Sequence, residues 1–104
     1  MRKYEEFFHL PNSHPNSDPS WFGFALILKK GTPFTRNDIT SYLEKNKIRT
    51  RLLFSGNIIR QPYFKKLEYR SDYNLENTDY IMDKLFWFGC YPGINNDMIE
   101  YMQQ

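Results

Sequence analysis

The residues whose types and spacing suggest chemistry are Arg51, Ser55, Gly56, Asn57 and Arg60. They fall within residues 50–64, TRLLFSGNIIRQPYF. Planar guanidinium forks suit carboxylate and phosphate oxygens. Ser55, Gly56 and Asn57 all favour turns, and Gly56 can take positive φ without strain. A polar loop flanked by arginines and held by a rigid element is where binding sites tend to sit. The chemistry on offer is the holding of an anion. Nothing in the chain pairs a nucleophile with a base, and no GxGxxG, phosphate-binding P-loop, GxSxG or HExxH occurs.

Charge patterning sharpens this. Residues 45–70 hold eight Lys or Arg against one acid, Glu68, whereas residues 71–104 hold six acids against Lys84 alone, and the whole chain carries only +2. Positive charge gathered mid-sequence in a nearly neutral chain points to a localised anion site; the alternative is a solvated basic face. Arg60, Tyr63, Phe64, Lys65 and Lys66 interleave aromatic and basic residues as single-strand binders do. The aromatic pattern of RNA-recognition sheets is absent, so no nucleic-acid partner is expected. Cys90 is the only cysteine, which excludes an intrachain disulfide and a CxxC motif. His9 and His14 lack helical zinc-ligand spacing. Glu5 and Glu6 sit where a signal peptide would be apolar, and no apolar run approaches the ~20 residues of a membrane span. The expected compartment is the cytoplasm.

The elements that must position these residues follow from periodicity. A chain of 104 residues suits one small domain, and 18% aromatic content implies a Phe/Tyr/Trp core. Residues 3–10, with Tyr4, Phe7 and Phe8 at i, i+3, i+4, predict the end of a helix. A Pro/Asn/Ser-rich loop follows, so residues 1–19 are expected to be a helix end and linker from a large domain. Residues 20–104 then form a small α/β domain. Residues 21–28, WFGFALIL, predict a strand apolar on both faces, with Trp21 and Phe22 candidates to face a partner or to wall a pocket. Thr35 and Asp38 form a capping-box pattern, Phe34 and Ile39 a staple, with Ile39, Tyr42 and Leu43 inward and Asn46 ending the helix. Alternation over residues 48–54 predicts a strand burying Ile48, Thr50, Leu52 and Phe54, with Arg49 and Arg51 opposite. Pro62 opens a short helix over residues 62–67. Asn77 caps a helix through Lys84 with Ile81 and Leu85 inward. Residues 86–91 form a third strand, and Asn95 caps a last helix with Met98, Ile99 and Met102 inward. The fold class is α/β (α+β), about three strands with helices packed on the sheet.

Residues 16–102 also carry a resemblance. SDPSWFGF, TRLLFSGN, RQPYF and FWFGCYPG resemble the C-terminal small domain of the DegT/DnrJ/EryC1/StrS family. These are pyridoxal-phosphate-dependent enzymes of the aspartate-aminotransferase fold (type I) that modify nucleotide-linked sugars. Aminotransferases of the family tend to carry a Pro-x-His element near residues 57–59. Its absence favours the 3-dehydrase branch, which acts on CDP-4-keto-6-deoxyglucose in lipopolysaccharide-sugar synthesis. The resemblance implies pyridoxal or pyridoxamine phosphate and a [2Fe–2S] cluster, both held outside these residues. It also implies a large domain as partner, a homodimer of the complete enzyme, and an isolated chain without activity or cofactor. It assigns Arg60 first, then Arg51 and Asn57, with Ser55, Gly56 and Trp21, to the nucleotide-diphosphate sugar. For Arg51 a structural ion pair is the competing assignment. For the chain as a whole the competing reading is a free-standing α+β binding or regulatory module derived from that domain.

Overall fold

The computed structural model describes residues 2–104. Its centre is a three-stranded antiparallel sheet in the order β1-β2-β3, formed by β1 (Phe8–His9), β2 (Gly23–Leu28) and β3 (Leu85–Gly89). Register sets Phe8 against Leu28, Leu26 against Phe86 and Phe24 against Phe88. Side chains alternate along a strand, so these residues share one face. Phe8, Leu26, Leu28, Phe86 and Phe88 are the buried cluster on that face. Ile39 and Leu43 cover it from α1 (Arg36–Lys45), Phe34 from the turn just before that helix, and Met102 from α3 (Asn96–Met102). The second helix, α2 (Glu76–Lys84), contributes nothing to that cluster; its Tyr80 hydroxyl donates to the Leu28 carbonyl at 2.5 Å. The opposite row, Ala25, Ile27, Leu85 and Trp87, pairs Ala25 with Trp87 and Ile27 with Leu85. Phe22 packs its ring 5.2 Å from Trp87 but remains 77% exposed.

Local signals formed as expected. Thr35 caps α1: its hydroxyl accepts from the Asp38 amide, and the Asp38 carboxylate accepts from the Thr35 amide. Asn46 is the C-cap, and Lys47, at φ 63, takes the left-handed position after it. The Ile48 amide reaches the Leu43 carbonyl (2.9 Å) and the Lys47 amide the Glu44 carbonyl (3.0 Å), a Schellman closure with lysine where glycine is preferred. Asn95 caps α3 through the Met98 amide, and Pro62 opens a 3-10 helix, Pro62–Lys66.

Four expectations are corrected. Residues 3–10 are not a helix end: a 3-10 turn at Arg2–Tyr4 leads into β1, and the Lys29 amide donates to the Phe7 carbonyl. Phe7 and Phe8 gain more from the sheet than from a short unpartnered helix. Residues 48–54 are not a buried strand. Glu44 draws the Thr50 amide (2.5 Å) and hydroxyl (3.0 Å) onto its carboxylate, and only Arg51 pairs, by one bridge to Trp87. The chain then turns at once, the Phe54 amide bonding the Leu52 carbonyl, and Phe54 stands 84% exposed at φ 42. Asn77 does not cap α2. Leu75, left-handed at φ 54, holds that position with no side-chain cap. The helix stripes are also shallower than expected, with Tyr42, Met98 and Ile99 exposed.

Candidate functional site

The loop of residues 55–60 is seated on α2. Gly56, at φ 62, lies so close to the Met82 side chain that an added Cβ would sit 2.5 Å from its Cγ. The conformation and the close approach both call for glycine. The next amide, of Asn57, donates to the Met82 sulfur at 3.3 Å. Gln61 Nε2 donates to the Ser55 carbonyl at 2.6 Å and closes the loop.

Asn57 is the only buried polar residue identified among the described residues, 1% exposed. Its Oδ1 accepts from the Ile59 amide at 3.3 Å, capping a 3-10 turn at Ile58–Arg60. Its Nδ2 donates to Asp79 Oδ1 at 2.7 Å. Arg60 completes the group: Nε donates to Asp79 Oδ1 at 2.9 Å, and Nη2 donates to Oδ2. The Arg60 side chain stays 61% exposed while that of Asp79 is 24% exposed. The hydrogen bonds from Arg60, and then that from Asn57, hold the Asp79 carboxyl below its ordinary value. The hydrogen bonds to Asp79, and then its charge, raise Arg60. The arrangement therefore has a buried amide, a half-buried carboxylate and an outer guanidinium that still reaches solvent.

Of the six residues expected to meet substrate, Ser55, Gly56, Asn57 and Arg60 come together. Asn57 points inward with its side chain committed to Ile59 and Asp79, and Ser55 contributes its carbonyl to the loop closure. Arg51 lies at the bridge to Trp87 with an exposed side chain. Trp21 lines a separate concavity with Pro11, Phe24, Cys90 and Tyr91. The basic window is dispersed. Lys47 and Arg49 line an open cleft of about 670 Å³ against α3, with Tyr91, Asn95 and Tyr101. Arg70 pairs with Asp72 at 2.8 Å. Sequence reasoning missed Asp79 and Met82 on α2. The signal that could have found Asp79 is the excess of acids after residue 70 facing the excess of cations before it.

Neither cofactor implied by the resemblance fits the residues present. An iron–sulfur cluster takes several cysteines; Cys90 is alone, and no three His, Cys, Asp or Glu side chains converge among the described residues. A phosphate cofactor needs free backbone amides and a poised base. At the Gly56 turn the amides are taken, Gly56 by the Leu53 carbonyl and Asn57 by Met82. The ammonium of Lys29, one of two half-buried lysines, donates to the Glu5 carbonyl.

Comparison with known proteins places the chain. The profile of the DegT/DnrJ/EryC1/StrS aminotransferase family matches residues 1–104. Lipopolysaccharide biosynthesis protein RfbH of Salmonella typhimurium is 47% identical over 102 residues, 98% of this chain and 23% of that protein. The dTDP-4-dehydro-2,6-dideoxy-D-glucose 3-dehydratase of Saccharopolyspora spinosa is 48% identical over 93 residues, 89% of this chain and 20% of that protein. The chain thus spans about a quarter or less of the length of these curated relatives. A solved structure of E. coli GDP-4-keto-6-deoxy-D-mannose-3-dehydratase with bound hydrated PLP superposes with a TM-score of 0.83 over 98% of this chain and 26% of that one, at 23% identity. The fold is shared with that enzyme, corresponding to about a quarter of its chain. On the full-length family match, the chain belongs to the DegT/DnrJ/EryC1/StrS aminotransferase family.

Proposed function

We propose that this chain works as the small domain of a pyridoxal-phosphate-dependent enzyme acting on nucleotide-linked sugars, in the making of deoxysugars for lipopolysaccharide. The observation that carries this is 47% identity to RfbH across 98% of the chain. Within the family the dehydrase branch is favoured, with a CDP-4-keto-6-deoxyhexose as substrate. Pyridoxal or pyridoxamine phosphate and a [2Fe–2S] cluster belong, in this reading, to a large domain outside these residues. The cofactor would act as the electron sink, and this chain would close the pocket and hold the substrate's diphosphate. The work would be done in the cytoplasm by a homodimer of the complete enzyme. Residues 1–19 lead in from the large domain, although Phe8 and His9 already pair in the small domain's sheet.

Surface character supports a partner of that kind. Trp21, Phe22, Leu52 and Phe54 are 46, 77, 52 and 84% exposed. The radius of gyration, 16.0 Å, exceeds the roughly 13 Å of a compact chain of this length. Arg60, with its outer edge in solvent, is the first residue assigned to the substrate. Arg51 and Trp21 lie elsewhere on the surface and would reach substrate only through the large domain.

A chimaera tests the reading. The matching 102 residues of RfbH are replaced by this chain, and release of the C3 hydroxyl from CDP-4-keto-6-deoxyglucose is followed. Turnover by the chimaera is the expected result. A chimaera that folds, carries its cofactors and does not turn over would overturn the assignment.

A further inference from the structure

We propose that Asp79, itself held by the buried Asn57, is a positioning residue that aims the outer edge of the Arg60 guanidinium at the diphosphate of a nucleotide-linked sugar. The inference rests on the reading of the residue 55–60 loop as part of that sugar's site, and deepens it.

The geometry is that of an aimed group. A guanidinium has five N–H donors in a plane and two edges able to grip a pair of oxygens. Asp79 takes the Nε edge through Nε and Nη2. The other edge, between Nη1 and Nη2, keeps parallel N–H groups on a side chain that is 61% exposed. Two-point contact fixes the plane as well as the position of the group. Asp79 is in turn fixed from behind by Asn57 Nδ2 at 2.7 Å, and Asn57 is locked by the Ile59 amide and by burial to 1%. The chain runs from interior to solvent: Ile59 amide, Asn57, Asp79, Arg60. A fully buried asparagine is a costly support for an exposed ion pair, because such pairs stabilise a fold little. It is a sound support for a group that must be presented in one orientation, since ordering a long side chain in advance removes that cost from binding.

Asp79 has a second effect of opposite sign. Its charge, together with the nearby Asp83, opposes the approach of an anion to Arg60. Positioning and charge neutralisation therefore predict different outcomes for one substitution. The probe is inorganic pyrophosphate, titrated into the 104-residue chain and followed by the Arg60 guanidinium N–H signals in NMR and by calorimetry. Asp79→Asn removes the charge and keeps the shape. If Asp79 positions Arg60, affinity falls by about 2- to 12-fold, the entropy of freeing one long side chain. Asp79→Glu recovers part of it, and the Arg60 signals of Asp79→Asn broaden before any ligand is added. Tighter pyrophosphate binding by Asp79→Asn would show that the carboxylate is only a counter-ion and would overturn the proposal. Unchanged affinity with unchanged Arg60 signals would overturn it equally. Arg60→Ala reports on the underlying reading instead. If it leaves pyrophosphate binding untouched, or if the parent chain binds none at 10 mM (about the millimolar regime of a lone phosphate contact), the loop is not an anion site. Thermal melts of each variant confirm that the comparison is between folded chains.

Discussion

Phe54 and Phe86 carry the same side chain in opposite circumstances, and their truncation separates two pictures of residues 48–54. Phe86 is fully buried in the sheet and meets Phe8 edge-on at 6.1 Å. Its change to alanine leaves a cavity under both helices that face the cluster and costs about 3–5 kcal/mol. The total stability of a domain this size is about 5–15 kcal/mol, so Phe86→Ala is expected to lose a large share of it and to melt well below the parent. Phe54 is 84% exposed, which leaves about a sixth of its surface covered. Of the roughly 200 Å² a phenylalanine presents, that is about 30 Å². At ~25 cal/mol per Å², the loss on truncation is below about 0.8 kcal/mol. The backbone adds a second comparison. At φ 42 a Cβ is strained, by about 1–2 kcal/mol. Phe54→Ala keeps that strain, whereas Phe54→Gly removes it and gives back about 0.4–1 kcal/mol through the freer unfolded chain. The expected order of stability is Phe54→Gly at or slightly above the parent, Phe54→Ala just below it, and Phe86→Ala far below. Urea unfolding followed by tryptophan fluorescence measures all three, provided the denaturant slopes agree. A loss of more than about 2 kcal/mol in Phe54→Ala would mean that residues 48–54 pack as a buried strand after all, and the description of this segment as a single bridge followed by a turn would be refuted.

Two further outcomes are expected. Lys47 stands at the left-handed position after α1, at φ 63, so Lys47→Gly should raise stability by about 0.5–1 kcal/mol, the difference between relieved strain and added unfolded-state freedom; a lower melting midpoint would show that the lysine stem packs across the helix end. Three carboxylates are held below their ordinary values of 3.8 or 4.5: Asp38 by the Thr35 hydroxyl and amide, Glu44 by the Thr50 amide and hydroxyl, and Asp79 by Arg60 and Asn57. The unfolded chain then binds protons more readily than the folded one, so the stability these groups supply is complete above their ordinary values and lost as pH falls through the lowered ones. Melting midpoints should drop as pH descends from about 5 to 2, with a shallower fall in Asp79→Asn; a midpoint that rises on acidification would contradict the assignment of these bonds.

What could be read from the sequence divides by the range of the interaction. The caps at Thr35, Asn46 and Asn95 and the Pro62 start involve partners within four residues, and the sequence states both partners side by side. The strands over residues 23–28 and 85–89 are legible for a related reason, since an apolar run of that length has few other places to go. The strand expected over residues 48–54 was misplaced, and the one at Phe8–His9 was read as a helix end, because the pairing was settled at long range. Residues 50–54 alternate well, but Glu44 lies close enough to take the Thr50 amide before β3 can, and Phe8 and His9, with almost no pattern of their own, fit the free edge of β2.

The candidate site follows the same division, and this bears on how its residues should be assigned. Ser55, Gly56, Asn57 and Arg60 are neighbours, so their loop was evident, and each was expected to face a ligand. Asp79 lies 19 residues beyond Arg60 and 22 beyond Asn57, and it turns two of those neighbours toward itself. A polar residue in a loop therefore has two possible directions, and sequence supplies only the loop. For Asn57 the direction is inward, with both ends of its amide matched. For Arg60 it is divided, with one edge of the guanidinium on Asp79 and the other in solvent. A residue used on one side by the fold and open on the other can be both supported and functional, whereas a residue whose polar atoms are all matched can act on a ligand only through its neighbours. That distinction makes Arg60 the residue to test for contact, and Asn57 and Asp79 the residues to test for what holds it.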